Sequence, residues 1–108
     1  MSPENTELCL EVLSAVAWAD ADLTVEEIAR AVDLLEPMEY AHRHRIEEIF
    51  MLPRCLPVEA RLQALSPDER LRLLRDAKRV AERFQGLGHH EELVLRDLQA
   101  RLALCAAS

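Results

Sequence analysis

The stretch that most constrains the fold is SPDERLRLLRDAKRVAERFQ, residues 66–85. Ser66 is suited to cap a helix and Pro67 to occupy its first turn. Glu69, three residues after the serine, completes a capping box. Leu73, Leu74, Ala77, Val80, Ala81 and Phe84 then recur at helical spacing, and GLG (86–88) stops the segment. One apolar face and one charged face predict a surface helix laid against other helices.

The rest of the chain obeys the same period. A first helix is predicted over about 5–19, with Leu8, Cys9, Val12, Leu13, Val16 and Ala19 inward. A second runs over about 25–36, with Val25, Ile28, Ala29, Val32 and Leu35 inward. A third follows Pro37 and reaches about residue 52, with Met38, His42, Ile46, Ile49 and Phe50 on one face. LPRCLP (52–57) carries two prolines and reads as a connection. Val58, Leu62 and Leu65 mark a short fourth helix, and Leu95, Leu98 and Leu102 the last, over about 89–106. No segment alternates as a strand. Half the 108 residues are apolar, yet only 4% are aromatic and only two are glycine, a balance that favours helices. The expected fold is one all-α domain over 1–108, a compact bundle of five to six short helices.

Charge divides the chain unevenly. Of the net −7, residues 1–36 hold nine acids and one base; residues 37–108 hold eleven acids and twelve bases. Such a chain does not have nucleic acid as its default partner. No apolar run approaches the roughly 18 residues that a membrane span requires, which leaves only peripheral membrane association. The acidic start, MSPENTELCL, lacks the basic opening of a signal peptide. Three cysteines, Cys9, Cys55 and Cys105, show no paired spacing. They read as buried thiols in a reducing cytoplasm. The final CAAS formally fits a prenylation pattern, but no polybasic segment precedes it and Cys105 continues an apolar helical stripe.

WADADLTVEE (18–27) crowds four acids into eight positions. Thr24 and Glu27 form a capping box, and Glu26 and Glu27 meet the positive end of the helix dipole. Asp20 and Asp22 are not accounted for in this way. Turn chemistry explains one of them; a hard cation, Mg²⁺ or Ca²⁺, explains both. An EF-hand is excluded, since Ala31 stands where its twelfth-position Glu would be. Shifted by 65 residues, DADLTVEEI (20–28) overlies QGLGHHEEL (85–93), a degenerate helix–loop–helix repeat.

In this repeat the chain resembles the family of the tellurite-resistance protein TerB. AVAWADADLTVEE is similar to the first copy of the family signature, with Ala19, Asp20, Leu23, Thr24 and Glu27 on its positions. DAKRVAERFQGLGHHEEL is similar to the second, with Ala81, Gly86 and Glu92 in place. The resemblance covers nearly the whole chain. It implies two helix–loop–helix units joined by middle helices, and a divalent-metal site with Asp20, Glu27 and Glu92 as ligands. With Asp22 beside them, these form the candidate set. Ala21 stands where the family has Gly, Gln85 where it has the second Asp, and Gly88 where it has an apolar anchor. The lost charge predicts weak binding. His90 would join the cluster if the ion were Zn²⁺.

Arg72, Arg75, Arg79 and Arg83 recur three, four and four residues apart as a basic stripe. It reads as a solvated face paired with the acidic first two helices, or as a dock for an acidic protein partner, including the acidic third of another copy in a homodimer. His42 reads as a core-edge histidine, and His44 shares an outer face with Glu48. No nucleophile has a base at a readable spacing and no phosphate-binding glycine loop exists, so no enzyme is expected. The resemblance implies a small cytoplasmic module of a tellurite or chemical stress response, acting by protein interaction with weak metal binding. The alternative is a plain helical adaptor or homodimer without metal.

Overall fold

α1 (Pro3–Ala17) is where the architecture starts, because it is buried nearly all round. Ser2 caps it by accepting from the Asn5 N–H at 3.2 Å, with Pro3 in the first turn. From Leu8 onward every residue is buried except Glu11. Helices with no polar face belong in the middle of a bundle. Here α5, α3 and α6 surround it. The expected stripe is therefore a subset: Leu10, Ser14, Ala15 and Ala17 are buried as well.

The computed structural model describes residues 2–18, 23–52, 56–57, 59–85 and 89–107, without the side chains of 84, 85, 89–92 and 104–107. Its further elements are α2 (Val25–Leu35), a 3₁₀ turn (Glu36–Met38), α3 (Arg43–Phe50), α4 (Glu59–Leu62), α5 (Pro67–Gln85) and α6 (His89–Ala107). The fold is an all-α bundle with a radius of gyration of 12.7 Å, close to the roughly 13 Å of a folded domain of 100 residues. No strand occurs among the described residues. No helix among them is long and apolar enough to cross a membrane.

Both expected capping boxes form. Thr24 Oγ1 accepts from the Glu27 N–H at 3.2 Å, and Glu27 Oε1 accepts from the Thr24 N–H at 3.5 Å. Ser66 and Glu69 exchange the equivalent bonds at 3.2 and 2.8 Å, and Asn5 adds a second donor to Glu69 Oε1. These bonds hold the Glu69 carboxyl below its usual range.

Two expectations need correction. Val25 and Ala29 do not face inward: Val25 is 83% exposed and Ala29 is exposed. The packed face of α2 is Ile28, Ala31, Val32 and Leu35, and Val25 overhangs it in the first turn. Nor does one helix run from Pro37 to residue 52. Glu39 adopts left-handed φ 61°, ψ 30° and breaks it. That reversal buries Tyr40 and makes His42 the N-cap of α3, exposed rather than at the core edge.

The remaining core follows the predicted period. Leu62 and Leu65 are buried after α4; Leu73, Ala77, Val80 and Ala81 on α5; Leu95, Leu98 and Leu102 on α6. Val58, Cys55 and the GLG turn lie outside the described residues, as does the side chain of Phe84. Arg101 fixes α6 to the preceding connection by donating to the Pro57 carbonyl at 2.8 Å and the Leu56 carbonyl at 3.2 Å. α5 packs on α6, whereas α2 packs chiefly on α3, so the two halves are not packed alike.

Candidate functional site

The candidate metal residues are only partly described. Asp20 and Asp22 lie outside the described residues, as does the side chain of Glu92. Glu27 is described, and its Oε1 takes both the Thr24 N–H and the Thr24 hydroxyl. No group of three or more His, Cys, Asp or Glu side chains converges as a cation site among the described residues.

The basic stripe separates into two environments. Arg72 is half-buried: its guanidinium lies 4.6 Å from the centre of the Tyr40 ring and donates to the Met38 carbonyl. Arg72 and Arg75 each place Nε 3.7 Å from a carboxylate oxygen of Asp76. Arg79 and Arg83 are exposed, as is Lys78 immediately before Arg79. The acids of α1 and α2 are met elsewhere. Arg45 pairs with Glu7 at 2.5 Å, Arg61 with Glu11 at 2.8 Å, and Arg43 with Asp33 and Glu36 at 2.8 and 3.1 Å. His44 pairs with Glu48 at 2.8 Å on the outer face of α3.

Beneath Arg72 lies a buried polar pair that the sequence reading missed. The Tyr40 hydroxyl donates to Asp76 Oδ2 at 2.6 Å, with the two residues 4% and 1% exposed. Burial and the adjacent carboxylate push the Tyr40 phenol above its ordinary value. Asp76 was legible: it shares the row Leu73–Asp76–Ala77–Val80, an acid in an apolar face. Tyr40 was hidden by the missed break at Glu39. A recess of about 380 Å³ opens beside the tyrosine, with Thr6, Glu7, Glu39 and Arg45 in its walls.

A second recess, of about 360 Å³, lies between the start of α5 and the end of α6. Pro67, Leu71, Leu74, Leu102 and Ala103 give it apolar walls, and Arg70 and Gln99 stand at its edges. Leu71 is 69% exposed there. Arg70 lends its Nη2 weakly to the Gln63 carbonyl at 3.4 Å, while its buried Nε has no hydrogen-bond partner among the described residues. Sequence reasoning missed this slot because Leu71 sits off the buried face and only the packing of α6 makes its other wall.

The chain matches no protein-family model, no curated protein and no solved structure.

Proposed function

We propose that this protein is a small TerB-like helical module that works by protein interaction rather than catalysis, and that the slot between α5 and α6 is its working surface. The open apolar slot carries this reading. A large leucine, Leu71, stands 69% exposed beside Leu74 and Ala103, outside the buried rows that α5 and α6 give to the core. Exposed apolar surface of this kind, edged by charge, is what a partner helix covers. The TerB resemblance, and with it a role in tellurite or chemical stress, is supported by the sequence signature alone. So is a weak divalent cation at the start of α2. Trp18 reports on the latter: it ends α1, donates to the Phe50 carbonyl at 3.0 Å, and precedes Asp20 by two residues. A titration with Mg²⁺, Ca²⁺ or Zn²⁺ that moves neither Trp18 fluorescence nor Tm removes the metal from the proposal.

The interaction reading is tested by placing a photo-crosslinking residue at position 71 and, as control, at exposed Glu47. Protein adducts are expected from position 71 and not from 47. No adduct from position 71 in cells producing the protein at native level refutes the slot as an interaction surface.

A further inference from the structure

We infer that the slot between α5 and α6 receives the outer edge of α2 from a second copy of this chain. The inference rests on the slot being an interaction surface and names its occupant. Two surfaces on one chain suit each other in apolar character and in charge. The first is the slot: apolar at Leu71 and Leu74, with Arg70 at its edge and exposed Lys78 further along α5. Lys78 lies one helical turn beyond Leu74, on the line of the slot. Neither Lys78 nor Arg79 is ion-paired to a described residue.

The second surface is the part of α2 that faces away from the core. Val25 and Ala29, four residues apart, form a short exposed apolar row, and Val25 at 83% is the most exposed of the large hydrophobics described. Exposed Glu26 and Asp33 flank the row, Asp33 already paired with Arg43 at 2.8 Å, and Arg30 is the sole base of α2. Thus a small apolar ridge in an acidic setting exists on the same molecule as an apolar slot in a basic one. Residues 1–36 supply the acids at −8 net, and residues 70–83 the bases, six against two acids. Opposite charge around an apolar centre sets the register of a helix laid in a groove. The alternative of an intramolecular match is closed, because α2 is already packed on α3 and the 3₁₀ turn.

Ridge and slot are different patches, so the contact is head-to-tail rather than self-paired. Each copy has one free ridge and one free slot, and copies add in series. This predicts a stepwise, salt-sensitive association. Charges at the edge are screened over about 8 Å at physiological ionic strength.

The test uses the full chain and two surface variants, Val25→Glu and Leu71→Glu, whose helical circular dichroism should match the parent. Wild-type protein is expected to show concentration-dependent mass beyond a dimer by sedimentation, reduced at least tenfold in association constant by either variant. Mixing the two variants should restore association and stop at a one-to-one heterodimer, since each retains the surface the other lacks. In that mixture, Lys78→Glu in the slot-bearing chain should weaken the pair and Glu26→Lys in the ridge-bearing chain should recover it. Three results overturn the inference: a wild-type chain that stays monomeric, a Val25→Glu chain that associates as before, or a mixture that forms no heterodimer. If position 71 still crosslinks to another protein while the purified chain stays monomeric, the slot remains an interaction surface and only the second copy is refuted.

Discussion

Replacing Tyr40 with Phe removes one oxygen atom and nothing else, so it isolates the bond to Asp76. The ring stays buried and keeps its place under Arg72. What changes is the carboxylate: 1% exposed, it loses its 2.6 Å donor and retains two guanidinium nitrogens at 3.7 Å, beyond good hydrogen-bond distance. A hydrogen bond to a charged group contributes about 1.5–3 kcal/mol, and a buried acceptor left without its donor costs its desolvation as well. We expect Tyr40→Phe to lose about 2 kcal/mol in urea denaturation. Tm should fall by about 8 °C, at about 4 °C per kcal/mol for a domain of this size. The pH dependence adds an independent readout. Folded Tyr40 holds its proton above its ordinary value, whereas the unfolded chain releases it near pH 10. The native state then binds more protons than the unfolded one, so this contribution is complete below about pH 10. It declines above that by up to about 1.4 kcal/mol per pH unit. Wild type and Tyr40→Phe should therefore differ by a constant amount at neutral pH and converge in alkali. Tyr40 is the only tyrosine, so tyrosinate absorbance follows it without interference. A Tyr40→Phe protein within about 0.5 kcal/mol of wild type, or tyrosinate forming in the folded protein near pH 10, would refute the reasoning.

Two further outcomes follow from buried groups of α1. Ser14 Oγ is fully buried and has no hydrogen-bond partner among the described residues, so Ser14→Ala should leave stability unchanged or raise it by up to about 1 kcal/mol in the same denaturation assay. Burial, with Glu69 and Asp76 nearby, pushes the Cys9 thiol up to about 12; in a Cys55→Ser, Cys105→Ser background it should resist alkylation at pH 8 until the chain is unfolded. The same shift makes its contribution to stability complete below about pH 9 and lost as pH rises toward 12.

Features that depend on neighbouring residues were legible in the sequence. Ser66–Glu69 and Thr24–Glu27 box their helix starts because every group in the box lies within three residues. The buried row of α5 was legible because that helix has one clear apolar face, and Leu95, Leu98 and Leu102 of α6 because they recur three and four residues apart. α1 was read as one-sided because its small residues, Ser14, Ala15 and Ala17, do not announce burial; only the surrounding helices do. The break at Glu39 carried no mark, since a glutamate occupies the left-handed position that Gly or Asn would have signalled. Val25 was assigned by period to a face that has no neighbour at its end of the helix. Of the candidate sites, Glu27 and the arginine stripe could be followed into the structure. Tyr40–Asp76 and the α5–α6 slot depend on residues 36 and about 30 positions apart, beyond the reach of local pattern.

The all-round burial of α1 bears on the order in which the chain is made. α1 is synthesised well before its principal neighbour, α5, which begins at Pro67. Throughout translation of the intervening segments, Leu8, Leu10, Val12, Leu13 and Val16 have no completed core to enter. A nascent chain cut short before α5 carries α1 as a bare apolar cylinder, the kind of surface that chaperones hold and that aggregates without them. The helix at the centre of the finished bundle thus leaves the ribosome long before the helix that encloses it.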